Sequence, residues 1–534
     1  MTLPPSRFDL GAPVPSVAEL GRVHLVAIGG AGMSAVARLL LAHGVSVSGS
    51  DAKDSEVLRS LEREGALVHV GHDPAYLDGV DTVVVSSAIR DSNPEFAAAR
   101  ERGLRVLHRA QALAATTAGA RVVAVAGANG KTTTTSLLTV ALTEAGCDPS
   151  FAIGGELAER GTNAHLGGGG PGHAFVVEAD ESDGSFLVYR PEIAVVTSVQ
   201  PDHLDHYGDL ETVEEAYRAF AATVGRLLVV CADDPGAARL ADWAEQRAGG
   251  PRVLRYGRHE RADLRVGPVR HHAPTPVSGP APPDRPGGRV DPVVSTASLT
   301  WAGRSLQLRL QLPGDHNVQN AAAAFGAAVV GLGVDPDAIL AGLAAFSGTR
   351  RRFESLGEVE GVRVVDDYAH NPGKVAAVMA TARQLCDDSA GGRVLAVFQP
   401  HLYSRTRDFA DQLGAGLALA DVVVVMDVYA AREDPLPGVT GALVADAARK
   451  ARPDVEVLYV EDASAVATTV AGLARSGDLV LTIGAGDVTA VGPQVLQLLT
   501  EAAPARVPGI PDGELEGEAR DDLGYEPGER GQIR

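Results

Sequence analysis

VVAVAGANGKTTTT, residues 122–135, carries the reading on which the rest of the chain depends. Small and β-branched residues run into Gly127, Gly130-Lys131-Thr132 follows, and TSLLTVALTEAG then has the composition of a helix. A strand, a glycine-rich loop and a helix in that order make a cradle for phosphate. Backbone amides across 128–132 can wrap an anion, the Lys131 ammonium can reach terminal phosphate oxygens, and the Thr132 hydroxyl can hold Mg²⁺. A full Walker A motif wants a glycine where Val125 stands. The shorter G-x-x-G-K-T keeps the groups the chemistry needs.

A second such turn lies near the start of the chain. VHLVAIGGAGMSAVARLL (23–40) puts an apolar strand before Gly29 and Gly30-Ala31-Gly32-Met33-Ser34-Ala35, a G-x-G-x-x-A fit. VSVSGSD then sets Asp51 at a strand end, about twenty residues on, as dinucleotide-type sites require. Such glycines permit a tight turn, and the helix N-terminus offers free N–H groups to a pyrophosphate. NAD, FAD and UDP-sugars all carry that group, so the turn alone does not choose among them. An NAD-dependent oxidoreductase would need only this turn and would leave the lysine loop without work.

After the lysine loop come two acidic stretches, each behind an apolar run. VVEADESDGSFL (176–187) carries Glu178, Asp180, Glu181 and Asp183, either a Mg²⁺ site beside the phosphates or a solvated acidic loop. VTSVQPDHLDHYGD (196–209) adds Asp202, His203, Asp205 and His206, with histidine an unusual ligand for Mg²⁺.

Composition sets the frame. The chain has 534 residues, beyond one ordinary domain of roughly 100–200. Aromatic residues are only 4%, so Val, Ala and Leu must fill the cores. A net charge of −21 argues against a chain-wide nucleic-acid surface. The three cysteines, Cys147, Cys231 and Cys386, have no metal-ligand spacing and read as buried thiols of a reducing compartment. MTLPPSRFDLGAPVP has no apolar core for a signal peptide, and no run is long enough to span a membrane, so a cytoplasmic protein is expected.

Val-rich runs alternate with Ala/Leu-rich helical stretches throughout, which predicts α/β architecture with parallel sheets buried on both faces. Three domains are expected: an N-terminal Rossmann-like unit over 20–117, a central P-loop ATPase-like parallel sheet over 118–345, and a C-terminal Rossmann-like α/β unit over 346–502. Residues 1–19 read as an extension. The Pro/Gly-rich stretch 264–296 reads as an exposed, poorly ordered insertion, with His271 and His272 not metal ligands. The acidic segment 503–534 reads as a disordered tail.

In combination, AIGGAGMS, SSAIRDSNPEF (86–96), GANGKTTTT, AIGGELAERGTNA (152–164), EADESDGSF, PDHLDHYGD, GDHNVQNAAAA (314–324), RRFE (351–354), DDYAHNP (366–372), FQPHLYSRTRDF (398–409) and GAGDV (484–488) resemble the Mur ligase family of ATP-dependent amino-acid ligases. The resemblance covers roughly residues 20–500 and points to its alanine-adding branch. It implies ligation of L-alanine to the lactyl carboxylate of UDP-N-acetylmuramate through an acyl phosphate, with ATP and two Mg²⁺ ions, in a monomer or weak dimer without nucleic-acid or membrane partners. A recycling ligase that attaches a preformed peptide is the alternative.

The resemblance also implies roles by position. Gly29, Gly30, Ala31, Gly32, Met33, Asp51, Ser86 and Ser87 would hold the UDP substrate. Gly127, Ala128, Asn129, Gly130, Lys131, Thr132 and Thr133 would hold the ATP phosphates, with Asn317 and Asn320 near the adenine. Thr132, Glu178 and His203 would be the metal ligands. Lys131, Glu178, His203, Arg352 and Asp367 would carry catalysis, the last two reaching the nucleotide on domain closure. His370, His401 and Arg405 would face the amino acid. Three positions depart from the family pattern: Ala128 replaces a threonine, Leu402 stands where arginine is common, and Tyr217 stands where several relatives carry a carbamylated lysine.

Overall fold

The Val-rich runs become strands of three separate sheets in a computed structural model that describes residues 4, 7–158, 160–170, 172–272, 294–388, 392–431 and 433–502. In the first sheet, β1 (Val23–Val26), β2 (Val47–Asp51), β3 (Leu67–Val70), β4 (Thr82–Val85) and β5 (Arg105–His108) are all parallel, ordered β3-β2-β1-β4-β5. The order reverses between β1 and β4, and a ligand crevice belongs at the carboxyl ends of the strands at such a switch point. The first glycine turn leaves β1 there.

The central sheet holds β6 (Arg121–Ala126), β7 (Ser150–Leu157), β8 (Thr162–His165), β9 (Ala174–Glu178), β10 (Ile193–Val196), β11 (Leu227–Cys231), β12 (Arg252–Gly257), β13 (Leu264–Val266), β14 (Arg270–His272), β15 (Val294–Trp301) and β16 (Arg304–Leu310). Its order is β8-β7-β9-β6-β10-β11-β12-β13-β15, with β14 and β16 also on β15. β6, which feeds the lysine loop, is flanked by β9 and β10, both parallel to it. The acidic stretches EADESD and PDHLDH leave the carboxyl ends of those two neighbours, so sheet order delivers them to the loop.

β17 (Glu354–Val359), β18 (Val362–Asp367), β19 (Val394–Phe398), β20 (Val422–Met426), β21 (Glu456–Val460) and β22 (Leu479–Ile483) form the third sheet, ordered β17-β18-β22-β19-β20-β21 with only β17 antiparallel. The central strands of all three sheets are Val-rich and buried along their length. Burying one such side chain is worth roughly 1.5–3 kcal/mol, so a chain with only 4% aromatic residues relies on many of them, with Phe151, Phe175, Phe186, Phe220 and Phe325 buried among them.

The stretch 264–296 differs from its expectation. Its two ends are sheet strands: β13 pairs parallel with β12, and β13 and β14 pair antiparallel with β15. Short polar-alternating strands such as RHH escape a search for apolar runs because only one face of them is covered. His271 bonds Ser295 Oγ (2.8 Å) and Asp315 Oδ1 (3.1 Å), a structural role. Residues 273–293 and the tail 503–534 lie outside the described residues.

The chain passes from the second sheet to the third within one peptide. Thr349 bridges Leu157 of β7 and the Arg350 amide donates to the Glu156 carbonyl (3.2 Å), whereas the Arg351 carbonyl already accepts from Tyr368 (2.9 Å) beyond β18. Arg351 (φ 60°) and Phe353 (φ 50°) are both left-handed, an arrangement costly for non-glycine residues. The Phe353 amide donates to Asp367 Oδ2 (2.8 Å), which fixes the turn that presents Arg352.

Candidate active site

The lysine loop is held rigid from behind. Gly127 (φ 135°) packs so closely that a Cβ would stand 2.0 Å from Thr197 Oγ1. Thr197 donates to the Asn129 carbonyl (2.5 Å), Ser198 Oγ accepts from the Asn129 amide (3.1 Å), and the Ala128 amide donates to the Ser198 carbonyl (3.3 Å). These backbone ties need no hydroxyl at position 128, so Ala128 leaves the loop's frame intact. Gly130 (φ 83°) caps the helix Lys131–Glu144, whose first turn carries Lys131.

The reactive groups of this loop are paired. Lys131 Nζ donates to the Gly127 carbonyl (2.7 Å) and to Glu181 Oε1 (2.7 Å). Burial acts to depress the Lys131 pKa, but the charges of Glu181 and Asp180 outweigh it and hold the ammonium protonated. Thr132 Oγ1 donates to Glu178 Oε1 (2.9 Å) and accepts from Arg352 Nη2 (3.0 Å), a contact between two domains. Glu178 Oε2 accepts from the Gly154 amide (2.8 Å), where a side chain would collide with the carboxylate.

Thr132 and Glu178 thus present adjacent hard oxygens beside the loop amides. That donor set fits Mg²⁺, which takes few protein oxygens and completes its shell with phosphate and water. Among the described residues no group of three His, Cys, Asp or Glu converges as a metal cluster. His203, in a left-handed turn (φ 54°), faces the same space.

A cavity of about 1160 Å³ runs between the three domains, and most predicted residues line it. Gly29 through Met33, Ser86 and Ser87 form one wall; Ala128, Gly130 through Thr133, Glu178 and His203 form the second; Arg352, His370, His401 and Arg405 form the third. A cavity of about 460 Å³ opens behind the loop, with Asn129, Asn317, Asn320, Arg352 and Asp367 in its wall. Two buried acceptors there, Asn129 Oδ1 and Gln319 Oε1, have no partner among the described residues. They fit the amino group of a purine.

Two predicted residues stand behind the walls. The Gly127 carbonyl holds Lys131, and Asp51 Oδ2 accepts from the Gly29 amide (3.0 Å), bracing the first turn from its rear. Leu402 is strained (φ 69°) and caps the helix Tyr403–Leu417, which carries Arg405 toward the cavity. The His370 and His401 rings lie 5.6 Å apart, and burial holds His370 well below its usual pKa, hence neutral. Tyr217 is buried edge-on against Phe186 (5.4 Å) and offers no amine for a carbamate.

Three family descriptions match in succession: "Mur ligase family, catalytic domain" over residues 22–121, "Mur ligase middle domain" over 125–328, and "Mur ligase, glutamate ligase domain" over 351–486. The chain belongs to the Mur ligase family. It is 55% identical over 496 residues to the UDP-N-acetylmuramate–L-alanine ligase of Kineococcus radiotolerans, covering 92% of this chain and 99% of that one. Identity to the Saccharopolyspora erythraea ligase of the same name is 51% over 500 residues, covering 92% and 95%. The crystal structure of a UDP-N-acetylmuramate–alanine ligase from Thermotoga maritima superposes with a TM-score of 0.72 at 26% identity, covering 90% of this chain and 99% of that one.

Several residues of this Mur ligase site were absent from the sequence reading. Arg109 Nη2 pairs with Asp180 Oδ2 (2.6 Å), and its guanidinium abuts Gly32 of the first turn. His108 Nε2 stands 3.3 Å from Asp183 Oδ2, the oxygen to which the expected residue Ser87 donates (2.5 Å). Asn163 donates to the Ala31 carbonyl (2.7 Å) and accepts from Arg38 (2.6 Å), fastening the first turn's helix to the central domain. Lys374 lines both cavities. Only Lys374 carried a local signal: it sits in the first turn of the helix Pro372–Asp388, where the helix dipole disfavours a cation.

Proposed function

We propose that the chain catalyses ATP-dependent ligation of L-alanine to the lactyl carboxylate of UDP-N-acetylmuramate, a step of peptidoglycan precursor synthesis. The observation that carries this reading is that both phosphate turns open on one cavity, with the lysine loop between the other two walls. The units doing this are 20–117 for the UDP substrate, 118–345 for ATP and 346–502 for the amino acid.

The first turn and Arg109 hold the pyrophosphate and aim the lactyl carboxylate at the lysine loop. The purine of ATP occupies the smaller cavity against Asn129 and Gln319, and its phosphates run over the amides of 128–132. Carboxylate and triphosphate repel, so Lys131 and Arg352 neutralise the charge that builds on the transferred phosphoryl group. Thr132 and Glu178 would hold one Mg²⁺ and His203 a second; bound there, Mg²⁺ supplies further charge neutralisation. The carboxylate oxygen attacks the γ-phosphorus, ADP leaves, and an acyl phosphate forms. The neutral alanine amine attacks the acyl carbon, phosphate departs with the C–O bond electrons, and the proton lost by the nitrogen passes to that phosphate. Arg405 suits the alanine carboxylate, with neutral His370 beside it and the His401 ring next to that. An acyl phosphate hydrolyses readily, so walls contributed by three domains serve to exclude water.

The test is phosphate release from ATP with Mg²⁺ and UDP-N-acetylmuramate, offering L-alanine, glycine, L-serine or an L-Ala-D-Glu-diamino-acid tripeptide. Release that depends on L-alanine, with the amide product found by mass, is expected. Release with the tripeptide alone would assign the chain to peptide recycling, and release with none would sink the ligase reading.

A further inference from the structure

The helix Pro372–Asp388 runs 17 residues, and its first turn contains a lysine that no substrate-free contact explains. Asn371 caps this helix, accepting the Lys374 amide on Oδ1 (2.9 Å). The other end of the same amide crosses to the central domain, where Nδ2 donates to Asp202 Oδ2 (2.9 Å). Gly373 lies against Asn129 of the lysine loop, 3.8 Å from its Nδ2 measured from a Cβ position. Helix start and phosphate loop therefore face each other across the domain boundary.

Lys131 is the nearest parallel. It too lies in the first turn of a helix, Lys131–Glu144, aimed at the same cavity. Lys131 has Glu181 at 2.7 Å, however, whereas no carboxylate lies within ion-pair distance of the Lys374 ammonium among the described residues. Burial opposes its charge most; Lys131 and Arg352 oppose it as well, while Asp202 and Glu181 favour it. A cation set in the positive end of a helix and facing two more cations is held at a local cost. Such costs are kept where a multiply charged anion repays them.

We propose that Lys374 is a second phosphate-binding lysine, delivered by the C-terminal domain to the terminal phosphate of ATP opposite Lys131. It then stays on that phosphoryl group in the acyl phosphate and in the leaving phosphate. This inference rests on the ligase reading above and adds a contact that only the closed arrangement makes, so that nucleotide charge itself draws the third domain onto the second.

The experiment is calorimetric titration of the full chain with ATP, ADP and AMP in Mg²⁺, for the wild type, Lys374→Gln, Lys374→Arg and Lys131→Gln. Lys374→Gln should lose about 10- to 100-fold in ATP affinity, less for ADP and nothing for AMP, the scale of a lost charge-assisted contact. Lys374→Arg should recover most of it. In turnover, kcat should fall in Lys374→Gln while the KM values for L-alanine and UDP-N-acetylmuramate stay put. Equal affinities in Lys374→Gln and wild type would overturn the inference, as would an equal loss for all three nucleotides. A wild type that takes up no ATP would overturn the ligase reading with it, whereas ATP uptake lost only in Lys131→Gln would remove the inference alone.

Discussion

The two phosphate turns share a plan and differ in what they carry. The first, Ala27 through Met33, has no charged side chain of its own; its amides are braced by Asp51 from behind, and its nearby cation, Arg109, comes from another helix. The second carries Lys131 and Thr132, and each is already engaged, one by Glu181 and the other by Glu178 and Arg352. A turn that only holds a pyrophosphate can be built from backbone. A turn where charge moves during reaction needs mobile charged groups, and a buried mobile charge needs a partner when it is not at work.

Lys131→Ala should break this contrast most. It is expected to lower kcat by roughly 10²–10³-fold, as for other removed transition-state donors, while calorimetric binding of UDP-N-acetylmuramate holds within about twofold. If that binding fell as well, the two turns would not be separable. Glu181→Gln comes next. Glu181 is 2% exposed, and burial raises its pKa although Lys131 opposes the shift. Removing its charge should cost about 3 kcal/mol in the first melting transition. ATP with Mg²⁺ should restore most of it by supplying Lys131 with another anion, which differential scanning calorimetry would register.

A smaller effect is expected at the first turn. A Cβ at Gly29 would stand 2.6 Å from Leu58 and 2.9 Å from Asp51, so Gly29→Val should displace the turn. The KM for the UDP substrate should rise about tenfold, with kcat changed by less than about twofold, since one or two lost amide contacts are worth about that much. A comparable loss in kcat would mean that the first turn also shapes the reacting geometry.

The smallest effect concerns the tie between the turns. Burial acts to raise the carboxyl pKa values of Asp180 and Asp183. Arg109 and Lys131 outweigh it at Asp180, and His108 at Asp183, so both lie below the usual carboxylate range. Groups with depressed folded values contribute stability that is fully present above pH 4 and is lost as pH falls through those lowered values. The melting temperature of wild type should therefore exceed that of Asp183→Asn by a constant margin from pH 7 to about 4, narrowing only below it. A margin that shrinks between pH 7 and 5 would place the tie elsewhere.

Both turns, the parallel sheets and most of the cavity wall were legible in the sequence. Strand–glycine–helix order is a local pattern, and buried parallel strands read as continuous apolar runs. What escaped was non-local or two-sided. Arg109, His108 and Asn163 take their meaning from partners that lie 71 or more residues away, Asp180, Asp183 and Ala31. Nothing in RAQAL or GTNA says so. β15 and β16 alternate buried and exposed residues, and a search for unbroken apolar runs passes over them. Asp51 shows a motif matching in position while its observed contact is to the loop and not to the cavity.

The one-peptide passage between Arg350 and Arg351 has a mechanical consequence. Any rotation of the C-terminal domain about that joint moves each of its atoms in proportion to distance from the pivot. Arg352 sits two residues along, on a short arm, and travels little. His401 and Arg405 follow β19, two strands across the sheet from β18, and so sit on a longer arm. On the ligase reading proposed above, such a rotation would leave the Arg352 end of the cavity nearly in place while the Arg405 end opened.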